Sequence, residues 1–487
     1  MSEELPTRSD GGAPTFDEVR GRVQADLLAG LPAHFSRLSW DSGRLREWQR
    51  DRLRGLLADA TRRSAFHARR LRGVDPARFE LADLAGLPVM TKTEMMADFD
   101  ALVTDQRLTR EAAEVALAAT GAEPRPLPGG HLCMATGGSS GQRGIFAYSQ
   151  AAVAEFASLI FRTRLAALAA ATAGSGPGPG QPGEAGGGAA RPAGVPGTTI
   201  AFVAASSAVH GTMFVPAMLA GMPMTFVHVP VTLPVAEIVG RLNELQAPGL
   251  FGYPGMLARL AAEQEAGRLK IAPQLVNCTA EMLLPEFRAA ISHAFGAPIV
   301  DSFATSEGLA GSSGFDDPAI TLANDACIVE LVDDGGQPVP AGTPSAKVLV
   351  TNLFNHLQPL IRYELGDSFT RLPDDPGHGH LRVRVQGRAD EILRYGQADV
   401  HPLVLRTVLL ARPEVIDYQV RQTPGGVAVS AMLERDLDLG LLRRDLGAAL
   451  RRAGLADPQV QVDAVASLPR HPETGKLRRV VPAGQAA

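Results

Sequence analysis

The sequence predicts an α/β protein in which a large domain with a parallel-rich sheet precedes a small α+β domain. Three features predict this class: alternating short apolar runs and helical stretches from residue 199, a strand-rich region after residue 327, and a second α+β pattern after residue 390. Alternation of strands and helices is typical of parallel sheets with helical crossovers. A chain of 487 residues is also long enough for two domains.

The alternating region supplies the strands and helices of the predicted parallel sheet. The predicted strands are 200–204, 224–229, 249–253, 275–279 and 299–303, and the predicted helices are 235–245, 256–266 and 285–295. Ligands of such sheets bind beyond the carboxyl ends of the strands. The segments 279–281 and 303–307 are therefore the first candidates for a site.

The regions on either side of the parallel sheet are predicted to be helical before it and antiparallel after it. Apolar residues at three- and four-residue spacing predict helices within 15–70, and the Thr91-x-x-Glu94 pattern predicts a capping box at the start of another. Residues 327–385 predict antiparallel strands and turns.

The C-terminal pattern predicts a separate domain. It predicts a hairpin through Gly425-Gly426, a helix at 441–453 and a strand at 460–465. We expect a division between an N-terminal domain, residues 1–389, and a C-terminal domain, residues 390–487.

Residues 172–198 are rich in Gly, Pro and Ala and are predicted to form a flexible surface loop. Residues 178–183 within it match G-x-G-x-x-G. No strand precedes this match and proline interrupts any helix after it, so a dinucleotide site is rejected.

Composition excludes several classes of partner. The formal net charge of −5 provides no basic surface for nucleic acid or an anionic membrane. The first ten residues are polar and acidic, unlike a signal peptide, and no stretch approaches the ~20 apolar residues that span a bilayer. We therefore expect a cytoplasmic protein that binds neither nucleic acids nor membranes.

Cysteine and lysine are both scarce. Cys133, Cys278 and Cys327 form no C-x-x-C pair, so neither a disulfide framework nor a zinc site is expected. Of the 47 basic residues, the lysines are only Lys92, Lys270, Lys347 and Lys476. Because this chain otherwise uses arginine, a remaining lysine is a candidate for a role that needs a compact ammonium. For Lys270 and Lys347, an ordinary surface position is the simpler interpretation.

Residues 136–144, Thr-Gly-Gly-Ser-Ser-Gly-Gln-Arg-Gly, follow a strand-like segment at 131–135. Such a loop presents N–H and hydroxyl donors to phosphate oxygens, although an ordinary turn also fits. Residues 137–141 match G-x-S-x-G as well, with Ser139 as a hydrolase nucleophile. That motif needs a helix directly after the serine, whereas 145–148 predict a returning strand.

Two further segments carry candidate nucleotide and metal ligands. In 301–308, Phe303 can stack on a base and Glu307 can ligate a hard cation such as Mg²⁺, although a strand end with a capping turn fits too. In 359–367, Asp367 follows a glycine and can bind ribose hydroxyls, although it also fits an ordinary β-turn.

The last two segments lie in the C-terminal part of the chain. Residues 387–392, Gly-Arg-Ala-Asp-Glu-Ile, lie on the predicted domain boundary. Residues 468–479 contain Gly475-Lys476 on a predicted loop, where a cation can reach across a cleft, although a solvated basic tail is the alternative.

These five segments, in this order and spacing, resemble the adenylate-forming superfamily of acyl-CoA ligases, peptide-synthetase adenylation domains and luciferases. The resemblance covers nearly the whole chain. Residues 87–92, Leu-Pro-Val-Met-Thr-Lys, and 359–363, Pro-Leu-Ile-Arg-Tyr, are typical of its phenylacetate–CoA ligase branch.

The resemblance implies roles for the matching residues. Those implied to bind the nucleotide are Thr136, Ser139, Ser140, Gly141, Thr279, Ala280, Glu281, Phe303, Ser306, Asp367 and Arg388. Glu307 would ligate Mg²⁺, Lys476 would be the catalytic lysine, and Asp390 would be the hinge of a rotating C-terminal domain.

The acyl pocket is less well specified. The residues implied to border it are Phe202, His210, Tyr253 and Ala304. Core packing is an equal or better interpretation for His210, Phe202 and Tyr253.

Several positions depart from the usual pattern of the superfamily. Gly137 replaces a serine, Arg143 a proline, Phe303 a tyrosine and Ala304 a glycine. None of these changes removes a charged catalytic group.

The resemblance implies that the protein uses ATP and Mg²⁺ to activate a small aromatic or hydrophobic carboxylic acid as an acyl-adenylate. CoA would then accept the acyl group, and AMP and pyrophosphate would be released. Transfer to a carrier-protein thiol, an amine or another nucleophile is an alternative, as is an inactive relative that serves as a binding or scaffold protein. A homodimer formed through the N-terminal helices is also consistent with the resemblance.

Overall fold

The computed structural model describes most of the chain. The described residues are 14–136, 143–174, 199–470 and 477–484, except residues 223, 316, 375–377, 389, 390, 397, 401, 411, 413 and 434. Within them, no helix has both the length and the apolar character needed to cross a membrane.

A group of helices forms the N-terminal part. These helices are α1 (Phe16–Arg37), α2 (Ser42–Arg63), α3 (Ala65–Arg70), α4 (Lys92–Ala97), α5 (Phe99–Leu102) and α6 (Arg110–Ala118), with 3-10 turns at Leu81–Gly86 and Pro128–Gly130. The predicted capping box starts α4, where Thr91 Oγ1 accepts from the Glu94 amide and the Glu94 carboxylate accepts from the Thr91 amide. The helices predicted within 15–70 are confirmed.

A hairpin and a long helix follow. They are β1 (Leu132–Ala135), β2 (Ile145–Tyr148) and α7 (Gln150–Gly174). The two strands are antiparallel, from the Leu132–Tyr148 pair to the Ala135–Ile145 pair. The returning strand predicted at 145–148 is therefore present. The predicted loop at 172–198 begins too early, because α7 continues to Gly174, and residues 175–198 lie outside the described residues.

The central element is a nine-stranded mixed sheet, which five parallel strands dominate. Its strands and the helices between them are β3 (Thr199–Ala204), α8 (Gly211–Leu219), β4 (Thr225–Pro230), α9 (Val235–Leu245), β5 (Gly249–Gly252), α10 (Pro254–Glu265), β6 (Leu275–Thr279), α11 (Pro285–Phe295), β7 (Ile299–Ala304), β8 (Ala310–Ser312) and β9 (Ile320–Leu322). Two later strands, given below, extend this sheet.

The antiparallel region supplies a second sheet and the far edge of the first. Its strands are β10 (Cys327–Val332), β11 (Lys347–Asn352), β12 (Tyr363–Leu365), β13 (Asp367–Arg371) and β14 (Arg382–Arg388). Strands β10, β11 and β12 form a three-stranded sheet, and the large sheet has the order β13-β14-β9-β8-β7-β6-β5-β3-β4. Strands β3 to β7 are mutually parallel where they pair, as predicted.

The C-terminal part is a smaller α+β arrangement. Its elements are β15 (Leu393–Tyr395), β16 (Ala398–Val400), α12 (Pro402–Leu410), β17 (Val415–Thr423), β18 (Gly426–Leu433), α13 (Leu439–Arg452), β19 (Gln459–Ala464) and β20 (Val480–Val481). A four-stranded sheet has the order β19-β18-β17-β20, and its hairpin turns at the predicted glycines. A hydrophobic cluster confined to residues 393–480 supports it.

Two larger clusters stabilise the rest of the chain. One joins the N-terminal helices, the β1–β2 hairpin, α7 and the three-stranded sheet. The other packs α9, α10 and α11 against strands β3 to β7. Burial of this apolar surface is the main favourable contribution to folding, and it fixes the strand ends on which the site depends.

A cluster of buried ion pairs lies where α1, α7 and the segment before β10 meet, within the first of these two hydrophobic clusters. The fully buried Asp325 carboxylate accepts two hydrogen bonds of 2.6 Å from Arg162 and one of 2.8 Å from Arg37. Glu155 balances the second positive charge, at 2.9 Å from Arg37. Burial alone would raise the pKa of Asp325, but the hydrogen bonds and charge of Arg162 outweigh it and hold that pKa well below its usual range.

We expect Asp325→Asn to lower the free energy of unfolding by about 3–5 kcal/mol, because two buried guanidinium groups lose their shared anion. The wild-type contribution is present above about pH 4 and is lost as pH falls through the lowered pKa. Urea unfolding measures both effects. Asp374→Asn, in an exposed pair with Arg371, is the control and should change stability by less than about 1 kcal/mol. Equal effects of the two substitutions would contradict the structural role of the cluster.

Candidate active site

Strands β6 and β7 bring two of the predicted segments together. They are adjacent and parallel, and Thr279 lies opposite Ser302 in the register. The Thr279 hydroxyl donates to the Ser302 carbonyl at 3.0 Å. The segments 279–281 and 303–307 therefore leave the sheet side by side at its carboxyl edge, as the alternation of strands and helices predicted.

A strained turn directs the chain after β6. Ala280 has φ of 64°, which is uncommon for a residue other than glycine. The Glu281 amide donates to the Thr279 carbonyl at 2.8 Å across it. Strain of this kind persists where the surroundings enforce it, and it is frequent at functional sites. Here it turns Glu281 away from the strand direction.

Phe303 and Asp367 are brought near each other by β7 and β13. The half-buried ring of Phe303 packs edge-on against Phe369, with ring centroids 5.3 Å apart. Phe369 lies two residues beyond Asp367 on β13, and the pairing of β13 with β14 shifts register between Ser368 and Phe369. Asp367 is the register partner of Arg388 on β14, although the Arg388 side chain lies outside the described part of the chain. The end of segment 359–367 is therefore next to the start of segment 387–392 in the sheet.

Glu307 is a buried carboxylate in a tight loop. Its carbonyl accepts from Asn352 Nδ2 at 2.9 Å, and the preceding Ser306 carbonyl accepts from the Tyr148 hydroxyl at 2.6 Å. Burial raises the pKa of Glu307, the positive charge of Lys92 lowers it, and the negative charge of Asp367 raises it further, with a net rise. Two carboxylates that influence each other in a buried site favour a bound cation.

The hairpin β1–β2 brings Thr136 and Gly144 together, and residues 137–142 between them lie outside the described residues. Thr136 closes it: its amide donates to the Gly144 carbonyl at 3.0 Å, and its hydroxyl accepts from the Gly144 amide at 2.9 Å. Because a strand rather than a helix follows the loop, residues 137–141 lack the setting of a hydrolase nucleophile. The Tyr148–Ser306 bond ties this hairpin to the Glu307 loop.

The four predicted pocket residues have different surroundings. His210 is buried at the start of α8, with Nδ1 3.2 Å from the Ala135 carbonyl, next to the 136–144 hairpin. Phe202 and Tyr253 are fully buried in the hydrophobic core, and the Tyr253 hydroxyl accepts from the Ala205 amide at 3.2 Å. Ala304 is exposed at the end of β7. Burial thus favours core packing for Phe202 and Tyr253.

Other predicted residues fall where the structure gives no description. Ser139, Ser140, Gly141, Asp390 and Lys476 all lie outside the described residues. Their roles stay predictions, as does the absence of a zinc site.

Glu281 lies among C-terminal residues. Its side chain is 5% exposed, and its carboxylate faces the Leu477 amide and the guanidinium groups of Arg470 and Arg479. The resemblance implied that Glu281 binds the nucleotide and did not predict these contacts, because these partners lie almost 200 residues further along the chain.

Lys92 is a second residue whose surroundings the sequence left open. It lies in the first turn of α4, yet its charge acts on Glu307. Segments 87–92 and 359–363 lie side by side, because the Met90 amide donates to the Arg362 carbonyl at 2.9 Å. This pairing fixes the position of the chain just before Lys92. The scarcity of lysine made Lys92 a candidate for a special role, but it did not predict that Lys92 lies near Glu307.

Comparison with known proteins agrees with this geometry. No family model matches the chain. A 102-residue stretch is 37% identical to the phenylacetate-coenzyme A ligase of Thermus thermophilus, and it spans 20% of this chain and 22% of that relative. The match therefore covers about a fifth of the relative's length.

The agreement with solved structures is much broader. A 2-hydroxyisobutyryl-CoA ligase in the postadenylation state, in complex with 2-HIB-AMP, is 17% identical over 92% of this chain and 91% of its own, with a TM-score of 0.68. The chain has the fold of the adenylate-forming CoA ligases. The same ligase in the thioesterification state, with 2-HIB-AMP and CoA, gives a TM-score of 0.54 at 17% identity and the same coverage.

A third structure of the adenylate-forming CoA ligase fold supports the assignment. The anthranilate CoA ligase AuaEII, in complex with anthranoyl-AMP, is 17% identical over 71% of this chain and 64% of its own, with a TM-score of 0.50. The fold agrees with the resemblance to this superfamily, and the 102-residue match agrees with its phenylacetate–CoA ligase-like branch.

Asp301, on β7, is a carboxylate whose burial makes the stability of the folded protein depend on pH. Burial raises its pKa to about 7, which Arg288 partly opposes. A raised carboxyl pKa destabilises the folded state above that pKa, and the penalty disappears as pH falls towards the unfolded value near 4. We expect Asp301→Asn to raise the free energy of unfolding at pH 8 by about 1–3 kcal/mol and to have a smaller effect at pH 4.5.

Urea unfolding of both proteins at the two pH values checks this expectation. The matched control is Asp333→Asn, at an exposed turn, which should give no pH-dependent difference. A loss of stability in Asp301→Asn at pH 8 would show that the charged form is favoured in the folded protein.

Proposed function

We propose that this protein is an AMP-forming acid–thiol ligase that activates a carboxylic acid with ATP and transfers the acyl group to CoA. The observation that supports this most is the convergence of Phe303, Glu307 and Asp367 at the carboxyl edge of one sheet. An aromatic ring and two carboxylates there match the needs of an adenine, a magnesium ion and a ribose.

The proposed reaction has two steps. A carboxylate oxygen of the acid attacks the α-phosphorus of ATP, and the bond to the leaving pyrophosphate breaks, which gives an acyl-adenylate. The CoA thiolate then attacks the acyl carbon, and AMP leaves with the electron pair of the cleaved acyl–oxygen bond. Both partners of the first step are anionic, so positive charge from Lys476 would stabilise its transition state.

Magnesium fits the described residues. The buried Glu307 carboxylate is a hard oxygen ligand, and its neighbour Asp367 adds negative charge. We propose that Glu307 holds the ion. When bound, Mg²⁺ would offset the negative charge of the ATP phosphates. Asp367 would bind the ribose hydroxyls, and Phe303 would stack on the adenine.

We also propose that residues 390–487 form a domain that rotates about Asp390 between the two steps. The hydrophobic cluster confined to residues 393–480 supports this, because such a unit can move without exposing its own core. Rotation would bring Lys476 to the nucleotide for the first step and remove it for the second.

The acid is proposed to be a small aromatic or hydrophobic one. The phenylacetate-coenzyme A ligase match and the anthranilate CoA ligase structure support an aromatic acid, whereas the 2-hydroxyisobutyryl-CoA ligase favours including short hydroxy acids in any test. ATP–pyrophosphate exchange across aryl, arylalkyl, short hydroxy and fatty acids, with and without CoA, identifies the acid and the acceptor. No exchange with any acid, together with ATP binding, would favour the inactive-relative alternative.

Lys476→Ala should lower the rate of ATP–pyrophosphate exchange by about 10²- to 10³-fold, because the transition state loses a positive charge. The control is Lys270→Ala, which removes an exposed lysine and should leave exchange within twofold of wild type. Normal exchange by Lys476→Ala would refute the role of this lysine.

Glu307→Gln should raise the Mg²⁺ concentration for half-maximal exchange by about tenfold or more, because the ion loses a charged ligand. In the wild type, the raised pKa of Glu307 predicts that this concentration falls as pH increases, since the metal needs the deprotonated carboxylate. Glu237→Gln, in an exposed pair with Arg241, is the control. An unchanged Mg²⁺ requirement in Glu307→Gln would exclude it as the ligand.

A further inference from the structure

The contacts between the C-terminal part and the rest of the chain concentrate on one short segment. Three arginines of the C-terminal part approach residues 281–287, which run from the connection after β6 into the first turn of α11. Arg406 lies 3.8 Å from Glu286, and Arg479 lies over the ring of Phe287 at 5.0 Å. The described C-terminal helices and strands otherwise pack mainly against one another.

Glu281 is the centre of these contacts. Its Oε1 accepts from the Leu477 amide at 3.3 Å and lies 3.8 Å from Arg470. Its Oε2 accepts from the Gly255 amide at 3.3 Å and from Arg479 at 3.4 Å. One buried carboxylate thus joins the first turn of α10 to the two described residues that flank residues 471–476.

The side chain of Arg479 is oriented by Asp417, another residue of the C-terminal part. Its Nε and Nη2 donate to Asp417 on β17, at 3.0 and 3.3 Å, which leaves Nη1 directed at Glu281. The charge of Glu281 is balanced by Arg470 and Arg479 only while the two parts are in contact. Charge-assisted hydrogen bonds in such a partly buried setting are stronger than exposed ones.

The surface around this contact is incompletely filled. A cavity of about 280 Å³ lies beside it, lined among others by Val231, Met256, Arg259, Asp417 and Arg470. A polar contact next to a cavity is easier to release than a closely packed apolar interface. The arrangement therefore fits an attachment that holds one orientation and can open.

We propose that Glu281 is a positioning residue that holds residues 470 and 477–479 in the orientation used for acid activation. This rests on the proposed function, because it assigns the contact to the first of the two steps. Opening of the Glu281 contacts with Arg470, Leu477 and Arg479 precedes attack by the thiol.

The steric environment of Gly255 offers an independent means of disturbing the same contact. A Cβ at this position would lie 2.3 Å from Arg479 Nη2 and 3.1 Å from Glu281 Oε2. Gly255→Ala therefore displaces the guanidinium without changing any charge. Gly240 on α9 is a matched helical glycine with open space around its Cβ position, so Gly240→Ala is the control.

The test separates the two half-reactions. Glu281→Gln should lower kcat of ATP–pyrophosphate exchange about tenfold, with KM for ATP within about twofold, as expected when one charge-assisted contact is lost. Release of acyl-CoA from preformed acyl-adenylate should be unchanged or faster. Gly255→Ala should reproduce this split, whereas Gly240→Ala and Glu263→Gln on α10 should match the wild type.

Two outcomes overturn the proposal. If Glu281→Gln raises KM for ATP and leaves kcat intact, Glu281 contacts the nucleotide instead. If both half-reactions slow equally while the melting temperature falls, Glu281 supports the fold only.

A measurement that needs no activity separates this inference from the proposed function. Hydrogen exchange followed by mass spectrometry reports on peptides that contain the Gly255 and Leu477 amides. Both peptides should exchange faster in Glu281→Ala than in the wild type, even if no acid supports pyrophosphate exchange. Unchanged exchange in both peptides would refute the contact itself, whereas faster exchange with an inactive wild type would refute only the proposed function.

Discussion

The parallel register of β6 and β7 is the constraint on which the site depends. The hydrogen bond from the Thr279 hydroxyl to the Ser302 carbonyl fixes the two strand ends beside each other. From these ends, one segment leads to Glu281 and the C-terminal part, and the other leads to Phe303 and Glu307. A shift of one residue in this register would turn every side chain of β7 to the opposite face. Phe303 would then no longer face Phe369.

The second requirement is a stable setting for a buried carboxylate. Glu307 is tolerated inside the protein because its loop is held from two directions, by Tyr148 of the β1–β2 hairpin and by Asn352 of β11. These bonds satisfy carbonyl groups of the loop that carries the buried carboxylate. The same two neighbours link the proposed phosphate-binding hairpin and the three-stranded sheet to the central sheet.

Much of this arrangement follows from local sequence. Helices α9 and α11 have the predicted bounds, and the strands β3 to β7 lie where the apolar runs predicted them. Apolar periodicity specifies such elements because each buries one face against its neighbours. The Thr91–Glu94 capping box and the β1–β2 hairpin were also predicted. Both depend on hydrogen bonds between residues that are close together in the chain. The boundary of the glycine-rich loop was less accurate, because helix α7 extends into it.

The sequence by itself determined the fold class, the order of the elements and the position of segments 279–281 and 303–307 at the carboxyl ends of β6 and β7. Tertiary structure alone decided the surroundings of Lys92, Glu281 and Arg362. Arg362 illustrates the reason: its guanidinium binds Glu330 and the Ala85 carbonyl, which lies 277 residues away along the chain. Contacts between residues that are far apart in the chain leave no periodic pattern in the sequence. The sequence shows the charge and hydrogen-bonding groups of each residue, but the packing of the whole chain decides which partner each residue meets.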